Sequence, residues 1–244
     1  MKWAILSGIV GNLAAYEAVL QDLQQQKVDE LYILGDIVGP SATSEALVQR
    51  LQKPQRGEPT AQICTGWWEE QCLILHAYGQ NSEPTALVEK YGVDMIKTLW
   101  ESVSRETVSW IRSLEFGFME LDCLLTHGSS VSVADDLRPD TSPLVMCDRL
   151  ERLDANYLFC GRSGLQFNYQ IADGASTSTV TTLDGITPAV TVATSNKFVV
   201  GVGNVGLTTN IASYTVYFPD SGKVQFQQIS YGLSKGFGNR EKLL

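Results

Sequence analysis

The side chains able to do chemistry fall at four short glycine-containing breaks. Asp36 lies in GDIVG (35–39), Glu69 and Glu70 in TGWWEE (65–70), His127 in THGSS (126–130), and Cys160 and Arg162 in CGRSG (160–164). Two further breaks, SGIVGN (7–12) and GVGNVG (201–206), share the texture, but Gly8 and Val10 bring no ionisable atom. A carboxylate beside an imidazole can ligate a divalent cation or move a proton. Asp36 and His127 bring one carboxylate and one imidazole to these breaks, and Glu69, Glu70 and Cys160 are further side chains of donor type. The chain has only two histidines, and His76 lies outside every break. Ser129 beside His127 does not make a nucleophile and base, because neighbours on one turn are not thereby hydrogen-bonded and no further histidine completes the set. GVGNVG fits the spacing of a dinucleotide-binding turn, but such a turn must open a helix. LTTNIASYTVYF follows it instead, with strand alternation, and that reading is rejected.

The elements that must position these residues alternate. Strand-like apolar runs at 2–7, 30–34 and 61–64 alternate with helical patterns at 12–26 and 43–52. That order implies right-handed crossovers and a mostly parallel sheet in the first half. Residues 84–114 are largely helical by pattern. Strands are expected at 116–121, 123–127 and 156–160, with a helix at 143–153. From 166 to 229 the Thr, Val, Ser and Gly content alternates as in hairpin strands. In open α/β folds ligands bind beyond the carboxyl ends of strands, where these breaks fall. Residues 1–232 read as one domain without internal repeats, and 233–244 as a frayed tail.

Bulk properties narrow the partners. At 44% hydrophobic, 244 residues can bury a sizeable core. A net charge of −9 argues against binding to nucleic acid, which favours a basic face. The five cysteines (64, 72, 123, 147 and 160) form no CxxC pair and leave an odd one over, which suits thiols in a reducing compartment. MKWAILSG reads as a first strand rather than an export leader. No run of 18 apolar residues occurs, so no membrane insertion is expected. The cytoplasm is the expected location.

The order of the breaks resembles the calcineurin-like metallophosphoesterases, in particular the branch of small YfcE-like and diadenosine-tetraphosphatase-like enzymes. That pattern runs D-x-H-G-N, G-D-x-V, G-N-H-D, H-G, G-H-T-H and G-S-V-G. This chain keeps Gly11 and Asn12, Gly35 and Asp36, His127 and Gly128, and Gly203, Val205 and Gly206. SYTVYFPDSGKVQFQQISY (213–231) is similar to the family's closing hairpin. Each motif alone is weak; their shared order over residues 1–232 is the signal. The resemblance implies an α/β fold, a four-layer αββα sandwich of two mixed sheets flanked by helices. It also implies a two-metal centre in which one carboxylate bridges both ions.

The departures fall on the ligands. Gly8 and Val10 stand where the family has Asp and His. Trp67, Trp68 and Glu69 replace Asn, His and Asp, and Arg162 and Gly164 replace two His. Asp36 and His127 remain, and two ligands cannot hold two divalent cations. Arg162 is expected to become the counter-charge of Asp36, since its guanidinium fits a carboxylate. Trp67 and Trp68 either fill the vacated space, stack on a base or bury in a partner. His127 reads as a relic rather than a general base. The expectation is a non-catalytic phosphoesterase-fold protein without a cofactor, its vestigial site lined by Gly8, Val10, Asn12, Asp36, Trp67, Trp68, Glu69, His127, Arg162 and Gly164. Its partner would be another protein or a small anion such as a nucleotide. The alternative is a residual phosphoesterase holding one manganese or other divalent ion on Asp36 and His127.

Overall fold

The computed structural model describes residues 1–78, 85–172, 178–182, 185–186 and 196–232. The tail expected at 233–244 lies outside the described residues, as do parts of the 166–229 hairpin region. The first half is built from β1 (Trp3–Leu6), α1 (Leu13–Gln26), β2 (Glu30–Leu34), α2 (Ser44–Gln52), β3 (Ala61–Cys64), α3 (Trp67–Leu75), α4 (Thr85–Glu101) and α5 (Arg105–Ile111). Then follow β4 (Gly117–Glu120), β5 (Cys123–Thr126), α6 (Pro143–Glu151), β6 (Tyr157–Cys160), β7 (Gln166–Ala172), β8 (Ser178–Thr182), β9 (Gly185–Ile186), β10 (Asn196–Val202), β11 (Ile211–Phe218) and β12 (Lys223–Ser230).

Two mixed sheets result, with strand orders β12-β11-β1-β2-β3 and β4-β5-β6-β10-β7-β8-β9. β1 pairs in parallel with β2 and antiparallel with β11, while β10 pairs in parallel with β6 and antiparallel with β7. Strand alternation assigns the faces. Trp3, Ile5, Tyr32 and Leu34 point between the sheets, where they meet Phe159, Val200, Val202 and Tyr217. Ala4, Leu6, Leu31 and Ile33 point outward, under α1, α2 and α3. Across the second sheet, Leu158, Phe167 and Tyr169 pack on Met146 and Leu150 of α6. The layers are therefore αββα, as expected from the sequence. The inter-sheet layer is notably aromatic. Tyr217 sits 5.6 Å from Trp3, 5.2 Å from Tyr157 and 4.9 Å from Phe159, ring centre to ring centre. Such tilted pairs add about 0.5–1.5 kcal/mol each beyond the area they bury.

Two local readings change. The helical stretch at 84–114 is broken: Gly92 has a non-helical backbone inside α4, and Ser104 caps a separate α5 through its side chain. TGWWEE is not only a turn, because α3 begins at Trp67 and places Glu69 in its first turn.

The glycine-rich turns are glycine-rich because they touch. A Cβ on Gly206 would lie 1.9 Å from the Ile9 carbonyl oxygen, and one on Gly161 would lie 2.0 Å from Ser7 Oγ. Gly206→Ala is expected to cost about 1–3 kcal/mol by overpacking, read as a lower urea midpoint with an unchanged slope. A variant with the wild-type midpoint would show that the two turns can part without penalty.

Candidate functional site

The site starts from two carboxylates at the ends of β2 and β3. Asp36 follows Gly35 directly after β2, and both are in the left-handed region, at φ 51° and 62°. The chain thereby turns back sharply over the sheet edge. Glu69 reaches this turn from the first turn of α3. Its Oε1 accepts the N–H groups of Ile37 (2.8 Å) and Val38 (2.9 Å), and its Oε2 those of Asp36 (2.7 Å) and Gly66 (2.9 Å). The carboxylate is fully buried without a cationic contact, its charge met by four backbone dipoles. Burial and then the neighbouring Asp36 charge push Glu69 up to about 7, against the amides that favour its ionised form.

Asp36 is buried too. Its Oδ1 accepts the Trp68 N–H at 2.8 Å and stands 3.3 Å from His127 Nε2. His127 Nδ1 lies 2.8 Å from the Leu34 carbonyl oxygen, which can only accept, so Nδ1 carries a proton. A neutral ring would then aim the Nε2 lone pair at a carboxylate. One more proton between Nε2 and Oδ1 removes that repulsion, leaving imidazolium and carboxylate in an ion-pair contact off the line of an ideal hydrogen bond. Burial opposes both charges. The His127 ring and the Trp68 N–H nevertheless hold Asp36 below its usual range, and Asp36 holds His127 above its own. Ser7 tightens the corner by donating to Leu34 O at 2.6 Å.

The remaining residues fall around this pair. Gly8 and Gly164 are left-handed; a Cβ on Gly8 would press on Asn204, and one on Gly164 would touch Leu207 and Asn204 at ordinary contact distance, so the 201–206 turn and its continuation border that space. Val10 holds a left-handed backbone despite its branched side chain and packs where a Gly39 side chain would be. Its N–H is bound by Asp36 O at 2.8 Å, and the next, from Gly11, by Ile37 O at 2.7 Å. Asn12 faces away to cap α1, accepting from Ala15 N–H at 3.1 Å and donating to Tyr231 Oη at 2.8 Å. Trp68 is buried; Trp67 is half-buried, 4.8 Å from it edge to face, and both lean on Tyr91.

Arg162 corrects an expectation. Among the described residues it makes no ion pair with Asp36, whose contact partner is His127. The guanidinium carbon instead lies 4.5 Å over the Trp67 ring, and Nε is buried without a hydrogen-bond partner. Its charge reaches Asp36 only at longer range, where it still favours the carboxylate. Cys160 is a second correction: its thiol is buried in the core beneath α6, bonded to Val200 O at 3.5 Å, and is no candidate ligand.

A metallophosphoesterase from Sphaerobacter thermophilus superposes on 95% of this chain and 89% of its own, with a TM-score of 0.66 at 20% identity. The chain has the metallophosphoesterase fold. A novel archaeal phosphodiesterase (12% identity, 94% of this chain and 100% of that one, TM-score 0.44) and the Escherichia coli phosphoesterase YfcE (18%, 95% and 100%, 0.41) are also similar. No family model matches the chain, and no curated protein matches it in sequence.

The metallophosphoesterase fold raises the question of the metal pair. The donors here do not fit one. Among the described residues no three His, Cys, Asp or Glu side chains group so as to hold an ion. Both Glu69 oxygens and Asp36 Oδ1 already accept backbone protons, and His127 directs its two nitrogens to Leu34 and Asp36. Sequence reading missed the four-amide role of Glu69. A glutamate three residues after a helix-capping Gly66 was the available signal, since that spacing lets a carboxylate reach back to the cap. The seat of Arg162 on Trp67 had no signal, because the two are 95 residues apart.

Proposed function

We propose that this protein uses the metallophosphoesterase fold without its hydrolytic chemistry, as a binding or assembly module. One observation supports this above the others: the two surviving candidate ligands, Asp36 and His127, are spent on each other. The positions that would supply the rest hold Gly8, Val10, Trp67, Trp68, Arg162 and Gly164, and none offers a metal donor. Kept glycines preserve the turns while most positions that would supply ligands carry no donor. The partner on this reading is another protein or a small anion such as a nucleotide. Trp67 as a base platform would require Arg162 to leave its ring face. Buried thiols at Cys64, Cys72, Cys123 and Cys160 are compatible with a reducing compartment, and the cytoplasm is the location proposed. Among the described residues no helix is long and apolar enough to cross a membrane.

Elemental analysis of the purified chain, before and after soaking in manganese, tests the reading beside a phosphodiester hydrolysis assay. The expected result is metal far below one equivalent per chain and no hydrolysis above buffer in either sample. One equivalent, with hydrolysis abolished by Asp36→Asn, would establish the residual single-metal phosphoesterase instead. Two equivalents would overturn both.

A further inference from the structure

A second aromatic site lies away from the strand-end turns, where α3, α4 and α5 meet. Its centre is His76, the histidine outside every motif. The His76 ring stacks flat on Trp100, 4.1 Å between centres and 6° between planes. Trp100 is nevertheless 47% exposed and Tyr78 55% exposed. The three rings line a cleft of about 590 Å³, floored by Val103 and Val108 and edged by Glu101 and Arg105. Clefts of that size accommodate a small organic ligand.

The charges on the rim differ in availability. Glu101 reaches Lys97, one turn back on α4, at 3.8 Å. Arg105 forms no ion pair among the described residues. Its backbone is fixed, because Glu45 binds the preceding Ser104 through both its N–H (2.8 Å) and its hydroxyl (3.0 Å). Tyr78 carries the Arg112 guanidinium 5.2 Å over its ring, so a second cation sits behind the cleft wall. His76 Nε2 is buried with no hydrogen-bond partner among the described residues. Burial first, and Arg105 with it, hold His76 below its ordinary value against a backbone hydrogen bond with Trp100 that favours the charged ring.

We propose that this cleft binds a mononucleotide, the base stacking on the exposed face of Trp100 and the phosphate meeting Arg105. A tryptophan already backed by another ring is held in one orientation, so a planar ligand orders little side-chain freedom on stacking. A single guanidinium on the rim that makes no ion pair among the described residues selects an anion over a neutral sugar. This site is independent of the strand-end turns and of the proposed function.

Calorimetry on the full chain with adenosine monophosphate, adenosine, inorganic phosphate and glucose tests the assignment. Adenosine monophosphate is expected to bind, adenosine more weakly and phosphate or glucose not measurably. Trp100→Ala is expected to weaken the nucleotide by at least about fivefold, in the range for loss of one base stack, and Trp100→Phe to restore part of it. Arg105→Gln is expected to bring the nucleotide down to the adenosine level. Four results would overturn the proposal: no heat with the nucleotide, equal affinity in Trp100→Ala, glucose binding in its place, or binding lost in Arg162→Gln but kept in Trp100→Ala. The last would place any nucleotide at the strand-end turns.

Discussion

Glu69→Ala is expected to remove about 4 kcal/mol or more of stability, because four buried amides lose their only acceptor at once. Each orphaned buried donor costs about 1–3 kcal/mol, and the four are not additive because the turn at 36–38 can relax. Domains of this size hold about 5–15 kcal/mol in total, so the variant should be marginal. Glu69→Gln discriminates the cause. It keeps the volume, but whichever way the amide turns, its NH2 faces two N–H groups, Asp36 and Gly66 or Ile37 and Val38. It should therefore cost about 2–4 kcal/mol although nothing is left empty. Urea unfolding followed by circular dichroism gives both values. If Glu69→Ala unfolds within about 1 kcal/mol of wild type, the turn does not depend on this carboxylate.

Asp36→Ala carries the second large effect, about 3–5 kcal/mol, since it strands a buried imidazolium and the Trp68 N–H. Alanine is also poorly suited to the left-handed backbone at residue 36. Asp36→Asn should cost less, because asparagine tolerates that backbone and keeps an oxygen for Trp68. The pH dependence follows from the directions of the shifts. His127 is raised in the folded state, so its contribution is complete below its unfolded value of about 6.5 and is lost as pH climbs through the raised folded value. Glu69 is raised too and adds loss in the same direction, through about 7. Asp36 is lowered, so its contribution is present above about 3.8 and is lost as pH falls through its lowered folded value. Stability should thus decline from about pH 4.5 upward as Glu69 ionises through about 7, and further above about 6.5 as His127 loses its proton, and Asp36→Asn should remove the His127 part of that decline. With two histidines in the chain, proton NMR can follow each ring. In wild type His127 should titrate above 6.5, and in Asp36→Asn below it. A wild-type His127 titrating below 6.5 would mean that the pair is not ionised.

The turns and the order of elements along the chain were legible because their signals are local. Gly8, Gly11 and Gly35 mark left-handed positions, and the alternation in KWAILS and ELYIL sorts residues onto two faces. The aromatic layer between the sheets was not legible, since Trp3, Tyr157 and Tyr217 meet only after the sheets stack. The site was legible by its losses, at Gly8, Val10, Trp67, Trp68, Arg162 and Gly164. What holds it now was not. The grip of Glu69 on 36–38 and the rest of Arg162 on Trp67 are long-range contacts, invisible to spacing. The α3 start inside TGWWEE was obscured because Trp67 and Trp68 serve the helix layer and the turn at once.

The burial of Trp68 bears on what a metal donor at position 68 would cost this chain. A donor smaller than indole at position 68 would leave a hole beneath Tyr91 and Trp67, and the fold would weaken before any ion could bind. A ligand at position 8 or 164 would have to adopt a left-handed backbone, and at position 8 Asn204 would also have to give by a few tenths of an ångström. Each such substitution alone would lower stability and, on the proposed reading, would complete no ligand set until several were present together. On the proposed reading the absence of a metal pair is entrenched: Trp68 is part of the core, and selection for folding alone would be enough to keep a donor from being placed there one residue at a time.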